Sequence, residues 1–254
     1  MEQTIKAIVR YDGAGFAGWQ IQPGQRTVQG AIEEALQTMA GQSVRIAGAG
    51  RTDAGVHAIG QVFSCRWPGP KSPKELRRSL AQMLSPEIRI ESVDVVPEDF
   101  HAQRSATGKH YAYVVCHARE ADPFLDRYTW SVPWDFDRAY VADLARRIVG
   151  EHDFAGFCSS GSSVETTVRS IYSAEIHDGP VVGPSDAAGT WRIEFHGNGF
   201  LYKIVRNLVG TIVDIARGHT PESRLDELLH APAPYHGFTA PAKGLFLAKV
   251  EYGE

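Results

Sequence analysis

Apolar residues recur along this chain with two different periods. In "TVQGAIEEALQTM" they fall at Val28, Ile32, Ala35, Leu36 and Met39, the spacing of one helix face. Thr27 stands just before them, where a hydroxyl can accept from the unpaired amides of a first turn. "SPKELRRSLAQML" opens in the same manner, with Ser72 as cap and Pro73 at the first helical position, where a missing N–H costs nothing. "FDRAYVADLARRIVG" predicts a helix closed by Gly150. "FLYKIVRNLVGTIVDIARG" predicts the longest helix, apolar at Leu201, Ile204, Val205, Leu208, Ile212 and Ile215 and ended by Gly218. A short helix is expected at "TPESRLDELL".

Other stretches read as strands. They are "TIKAIVRYDG", "QVFSCRW", "IRIESVDVV" and "GLFLAKVEY". In "KHYAYVVCH" the residues Tyr111, Tyr113 and Val115 alternate with Ala112, Val114 and Cys116, which gives a strand two usable faces. "SIYSAEIHDG" and "TWRIEFHGNG" predict a hairpin around the exposed loop "PVVGPSDAAG". Strands with helices at uneven intervals indicate an α+β layout with a largely antiparallel sheet. A boundary between halves is expected near residues 105 to 110, although no linker marks it.

Composition narrows the class without naming a partner. With 254 residues, 43% hydrophobic and 22% charged, the chain can bury a full core. No run reaches the roughly eighteen apolar residues of a membrane span. The start "MEQTIKAIVRYDG" lacks the basic-then-apolar layout of a signal peptide, so a cytoplasmic protein is expected. Cys65, Cys116 and Cys158 are far apart and in no C-x-x-C pair, which favours reduced thiols over disulfides or a zinc site. A net charge of −4 gives no bulk signal for nucleic acid. Yet 19 of the 26 basic residues are arginine, the side chain that best forks onto phosphate. A local basic cleft can coexist with an acidic exterior.

The densest chemistry lies in residues 48 to 58, "GAGRTDAGVHA", where Gly48, Gly50 and Gly55 surround Arg51 and Asp53. Glycines so close together let another backbone or a ligand approach. "GRTDAG" has the outer glycines of a phosphate-binding loop, but Val56 and His57 stand where Lys and Ser/Thr are required. "GAGRTD" puts Asp53 where a dinucleotide fingerprint needs its third glycine. No H-E-x-x-H motif and no G-x-S-x-G elbow is present. Glycoside hydrolysis would need a second carboxylate, and no motif marks one. What remains is a carboxylate on a glycine-rich loop, able to act as a nucleophile if a cation keeps it ionised. Arg206 is a candidate cation, off the apolar stripe of its helix and four residues before Gly210. The residues alone thus leave Asp53 without an assigned reaction.

The motif and its surroundings resemble the TruA-type tRNA pseudouridine synthases. Besides "GAGRTDAGVHA", the similar stretches are "YDGAGFAGWQIQPGQRTVQGAIEEAL", "KHYAYVV", "EHDFAGFC", "GFLYKIVRNLVG" and "APAKGLFLAKVEY", in family order and spanning essentially the whole chain. The resemblance implies two ferredoxin-like α+β halves sharing a largely antiparallel mixed sheet, with a catalytic cleft between them. Residues 1–105 would carry the aspartate loop, and residues 106–254 the tyrosine strand and the arginine helix. It implies isomerisation of uridines 38, 39 and 40 in the anticodon stem-loop of tRNA, without cofactor or metal, by a homodimer that assembles a basic groove from two acidic chains.

Residue by residue, the resemblance makes Asp53 the catalytic aspartate and Arg206 the arginine that pairs with it. Arg51 would enter the RNA stem, and Tyr111 would contact the uracil. A proton must also leave C5, for which Tyr111 is the candidate base, with a role as stacking platform alone left open. Attack by Asp53 at C1′ of the sugar and at C6 of the ring both remain open. Relatives often carry arginines where this chain has His110 and Ala112, which puts the phosphate contacts there in question. The alternative is a non-catalytic RNA-binding protein or tRNA chaperone on the same fold.

Overall fold

The computed structural model describes residues 2–119, 122–158, 166–183, 187, 189–230 and 235–253. The first elements along the chain are β1 (Gln3–Tyr11), α1 (Val28–Ala40), β2 (Ala47–Gly48), β3 (His57–Trp67), α2 (Pro73–Leu84) and β4 (Ile88–Val95). There follow β5 (Ala106–His117), β6 (Trp130–Val132), α3 (Arg138–Arg146), β7 (Gly150–Asp153), β8 (Val168–Asp178) and β9 (Thr190–Gly197). The last are α4 (Ile204–Ala216), α5 (Ser223–His230) and β10 (Leu245–Tyr252). The chain divides into two units, residues 1–107 with 247–254 and residues 108–246.

In the first unit β1 pairs antiparallel with both β3 and β4. Ile5, Ala7, Val9 and Tyr11 of β1 are buried, while Lys6, Ile8 and Arg10 between them are half-buried, as the alternation requires. Both helices carry the expected caps. The Thr27 hydroxyl accepts from the Gly30 amide. Ser72 and Glu75 form a reciprocal capping box that spans Pro73 in the first turn. The last strand, expected with residues 106–254, lies with the first unit from Leu247 onward. Its backbone fits closely there, since a Cβ on Gly60 would come 2.2 Å from the Ala248 carbonyl oxygen. The Tyr252 hydroxyl donates to Ala102 O at 2.8 Å.

In the second unit the strand order is β5–β9–β8–β7, antiparallel throughout, with short β6 parallel to β5. The unit is therefore α+β like the first. The predicted hairpin is β8–β9, and residues 184–186 and 188 of its loop lie outside the described residues.

Two helix boundaries differ from the sequence reading. Helix α3 ends before Gly150, because Ile148 N and Val149 N bond to the carbonyls three residues back and tighten its last turn. Gly150, at φ +123, opens β7 instead. Helix α4 starts at Ile204 because Lys203 takes the left-handed conformation, φ +60, which no helix continues. Among the described residues no helix is long and apolar enough to cross a membrane.

Candidate active site

The loop carrying Asp53 is fixed through its backbone by parts of the chain remote in sequence. The Trp19 amide donates to Thr52 O at 3.0 Å, and Gln61 Nε2 donates to Gly50 O at 2.8 Å. The hydroxyls of Tyr11 and Thr52 lie 2.9 Å apart. Burial pushes the Tyr11 hydroxyl pKa up to about 12, and its bond to Thr52 offsets part of that. Tyr11 therefore stays a neutral, hydrogen-bonding anchor under this loop. A turn closes past the aspartate, with Val56 N on Asp53 O at 3.1 Å and Gly55 at φ +79. Strand β3 begins at once with His57, so the turn hands directly to a rigid element.

Two further glycines explain how the loop packs so closely on the segment before α1. A Cβ on Gly13 would sit 1.9 Å from Val56 O, and one on Gly18 would sit 2.6 Å from Thr52 O. Gly18 also has φ +96. Asp53 itself is half-buried, while Arg51 is exposed and has no ion pair among the described residues. Gly18→Ala should therefore cost roughly 1–3 kcal/mol of stability through backbone strain. It should also shift Thr52 and Asp53 enough to reduce kcat by roughly 10²-fold. Chemical denaturation and steady-state turnover of the variant check both numbers, and wild-type kcat would show that the loop tolerates movement.

The second unit places Tyr111 and Arg206. Tyr111 is 7% exposed and meets the Phe200 ring edge-on, with centroids 4.9 Å apart. Strand alternation puts Lys109, Tyr111 and Tyr113 on one face of β5 and His110 and Ala112 on the other. The departures at His110 and Ala112 thus fall on the face away from Tyr111. There His110 stacks on His196 of β9, centroids 4.0 Å apart.

Arg206 is the one residue from Ile204 to Ile215 that is not buried. Its Nε donates to Ala240 O at 2.7 Å, and Ala240 N returns a bond to Arg206 O at 3.1 Å. Gly210 makes that approach possible, because a Cβ there would lie 1.9 Å from Phe238 O. Tyr113 holds the same segment through Pro241 O at 2.7 Å. Burial raises the Tyr113 pKa well above its ordinary value, and the Arg206 charge works against that. The guanidinium is thus anchored at one edge beside the strand that carries Tyr111.

The family model described as tRNA pseudouridine synthase matches residues 7–103 and 144–253. The chain belongs to the tRNA pseudouridine synthase family. Proteins called tRNA pseudouridine synthase A are similar along nearly the whole synthase. The one from Geobacillus kaustophilus is 42% identical, covering 99% of this chain and 95% of its own. The one from Listeria innocua is 40% identical, covering 97% and 98%. Among solved structures, a Cbf5-Nop10-Gar1 complex is similar at 12% identity over 82% of this chain and 53% of that one, with a TM-score of 0.35, too low to bear on the fold. The synthase is accordingly an isomerase that converts uridine of tRNA to pseudouridine. The anchors Tyr11, Trp19 and Gln61 form no motif by their spacing, so nothing in the sequence marks them.

Proposed function

We propose that this synthase isomerises uridines 38, 39 and 40 in the anticodon stem-loop of tRNA, with Asp53 as nucleophile. Arg206 serves as the cation that keeps Asp53 ionised, Tyr111 contacts the uracil, and Arg51 enters the stem as the base leaves it. The observation that carries this reading is the backbone-held loop around Asp53. A carboxylate is presented half-buried while the hydrogen bonds that hold its loop come from Trp19, Gln61 and Tyr11. Such pre-organisation is what a nucleophile needs to meet a reacting carbon without reorganising.

The chemistry balances within the substrate. The N1–C1′ bond breaks, the uracil rotates, C5 joins C1′, and the proton lost from C5 is matched by one gained at N1. No electron or group leaves the RNA, so the reaction needs no cofactor. A paired uridine must first be extruded, at a cost of a few kcal/mol that pocket contacts offset. We further propose a cytoplasmic homodimer, since one acidic chain with 19 arginines can build a basic groove more readily from two copies.

Short anticodon stem-loops test the specificity. Each carries one convertible uridine, at position 38, 39, 40 or, as control, 35. The first three should be converted and the control left unchanged. Conversion of the control at a rate equal to the others would refute the proposed specificity. Sedimentation of the active species should give twice the mass of one chain.

A further inference from the structure

Lys109 and Arg169 are two cations of the second unit that no step above uses. Lys109 lies two residues before Tyr111 on the same face of β5, about 7 Å along the strand. Its cross-strand neighbour is Gly197, which in turn pairs with Ile171 of β8, two residues beyond Arg169. The register therefore brings the two cations to one end of the sheet. The Arg169 Nη1 donates to Thr166 O at 2.9 Å and to Val168 O at 2.6 Å, which fixes the guanidinium by one nitrogen. Its stem runs over Gly199, where a Cβ would come 3.5 Å from Nε. The loop beneath is tied down by reciprocal bonds of Asn198 and Ser170, each near 3.1 Å. Phe200, next in that loop, is the ring that meets Tyr111.

Two half-buried cations side by side repel each other. Among the described residues neither forms an ion pair with a carboxylate. Burial holds the Lys109 pKa below its ordinary value, and the charge of Arg169 lowers it further. A fold keeps such a pair when an anion from outside relieves it. We propose that Lys109 and Arg169 together bind a phosphodiester of the tRNA strand that flanks the extruded uridine. This rests on the reading of Tyr111 as the uracil contact, because Tyr111 and its partner Phe200 are what place the cations within a nucleotide of the base. Arg169 offers the part of its fork that no backbone carbonyl occupies, and Lys109 adds a point charge.

The pair also leaves a mark on the free protein. A lysine with a lowered folded pKa makes the unfolded chain the better proton binder between the two pKa values. Stability therefore rises as pH climbs through that window. Lys109→Met should remove this rise and should raise Tm at neutral pH, while weakening tRNA binding and reducing the salt slope by about one.

The deciding experiment is a cycle between protein and RNA. Binding of wild type and of Lys109→Met is measured on stem-loops carrying a single neutral methylphosphonate, stepped through the phosphates on both sides of the target uridine. At one flanking position the substitution should weaken wild type roughly tenfold and leave Lys109→Met nearly unaffected, with Arg169→Met showing the same coupling. Strictly additive losses at every position, with wild type still converting the unsubstituted stem-loop, would overturn the phosphate site and leave the catalytic reading standing. If wild type neither binds nor converts the unsubstituted stem-loop, both fall.

Discussion

An Asp53→Asn chain should hold tRNA with wild-type affinity and form no detectable pseudouridine. Asparagine has the size of aspartate, and the bonds that shape its loop run through the backbone of Gly50, Thr52 and Asp53 and the Thr52 hydroxyl. The loop should therefore keep its form and the protein its stability. What disappears is a full negative charge on the atom proposed to attack carbon, and an amide is no substitute nucleophile. Loss of a nucleophile of this kind costs on the order of 10⁴-fold or more in kcat. Affinity measured on stem-loop RNA and turnover measured on the same preparation separate the two effects. Turnover within tenfold of wild type would remove Asp53 from the chemistry.

Tyr111→Phe should bind RNA, extrude the base and stall before the C5 proton is lost. The ring is already packed edge-on against Phe200 and nearly closed to solvent, so phenylalanine keeps its packing and sacrifices only the hydroxyl. A positioned general base contributes about 10²–10⁴-fold to a proton transfer. Tritium at C5 of the target uridine reports that step directly. The phenylalanine chain should release tritium slower by that factor, while the glycosidic bond still breaks. Release at the wild-type rate would leave Tyr111 as a stacking surface and give the proton to another group.

What the sequence made legible follows how local the cause is. Helices α1 and α2 were readable because Thr27, Ser72, Pro73 and Glu75 act within one turn of themselves. The start of α4 was not, because nothing in the sequence marks Lys203 as the left-handed residue that delays the helix to Ile204. Short β2, β6 and β7 exist only through their neighbours, being two to four residues long. Asp53 stood out as a carboxylate among glycines, but its reaction came only from resemblance. Nothing local to Gly13 and Gly18 marks the close approach of Val56 O and Thr52 O, which come from a loop about 35 to 45 residues further along the chain. The Lys109–Arg169 pair is created by strand register across β5, β9 and β8, so no single stretch of sequence contains it.

With Asp53 as nucleophile, this chain by itself should make pseudouridine in the anticodon stem. Position-resolved mapping of pseudouridine in bulk tRNA lacking the modification tests it most directly, using purified protein, a chelator and no added cofactor. Wild type should place pseudouridine at positions 38, 39 and 40, and Asp53→Asn should place none at equal RNA occupancy. New pseudouridine only at other positions would overturn the proposed specificity, and an equal yield from Asp53→Asn would remove Asp53 from the reaction.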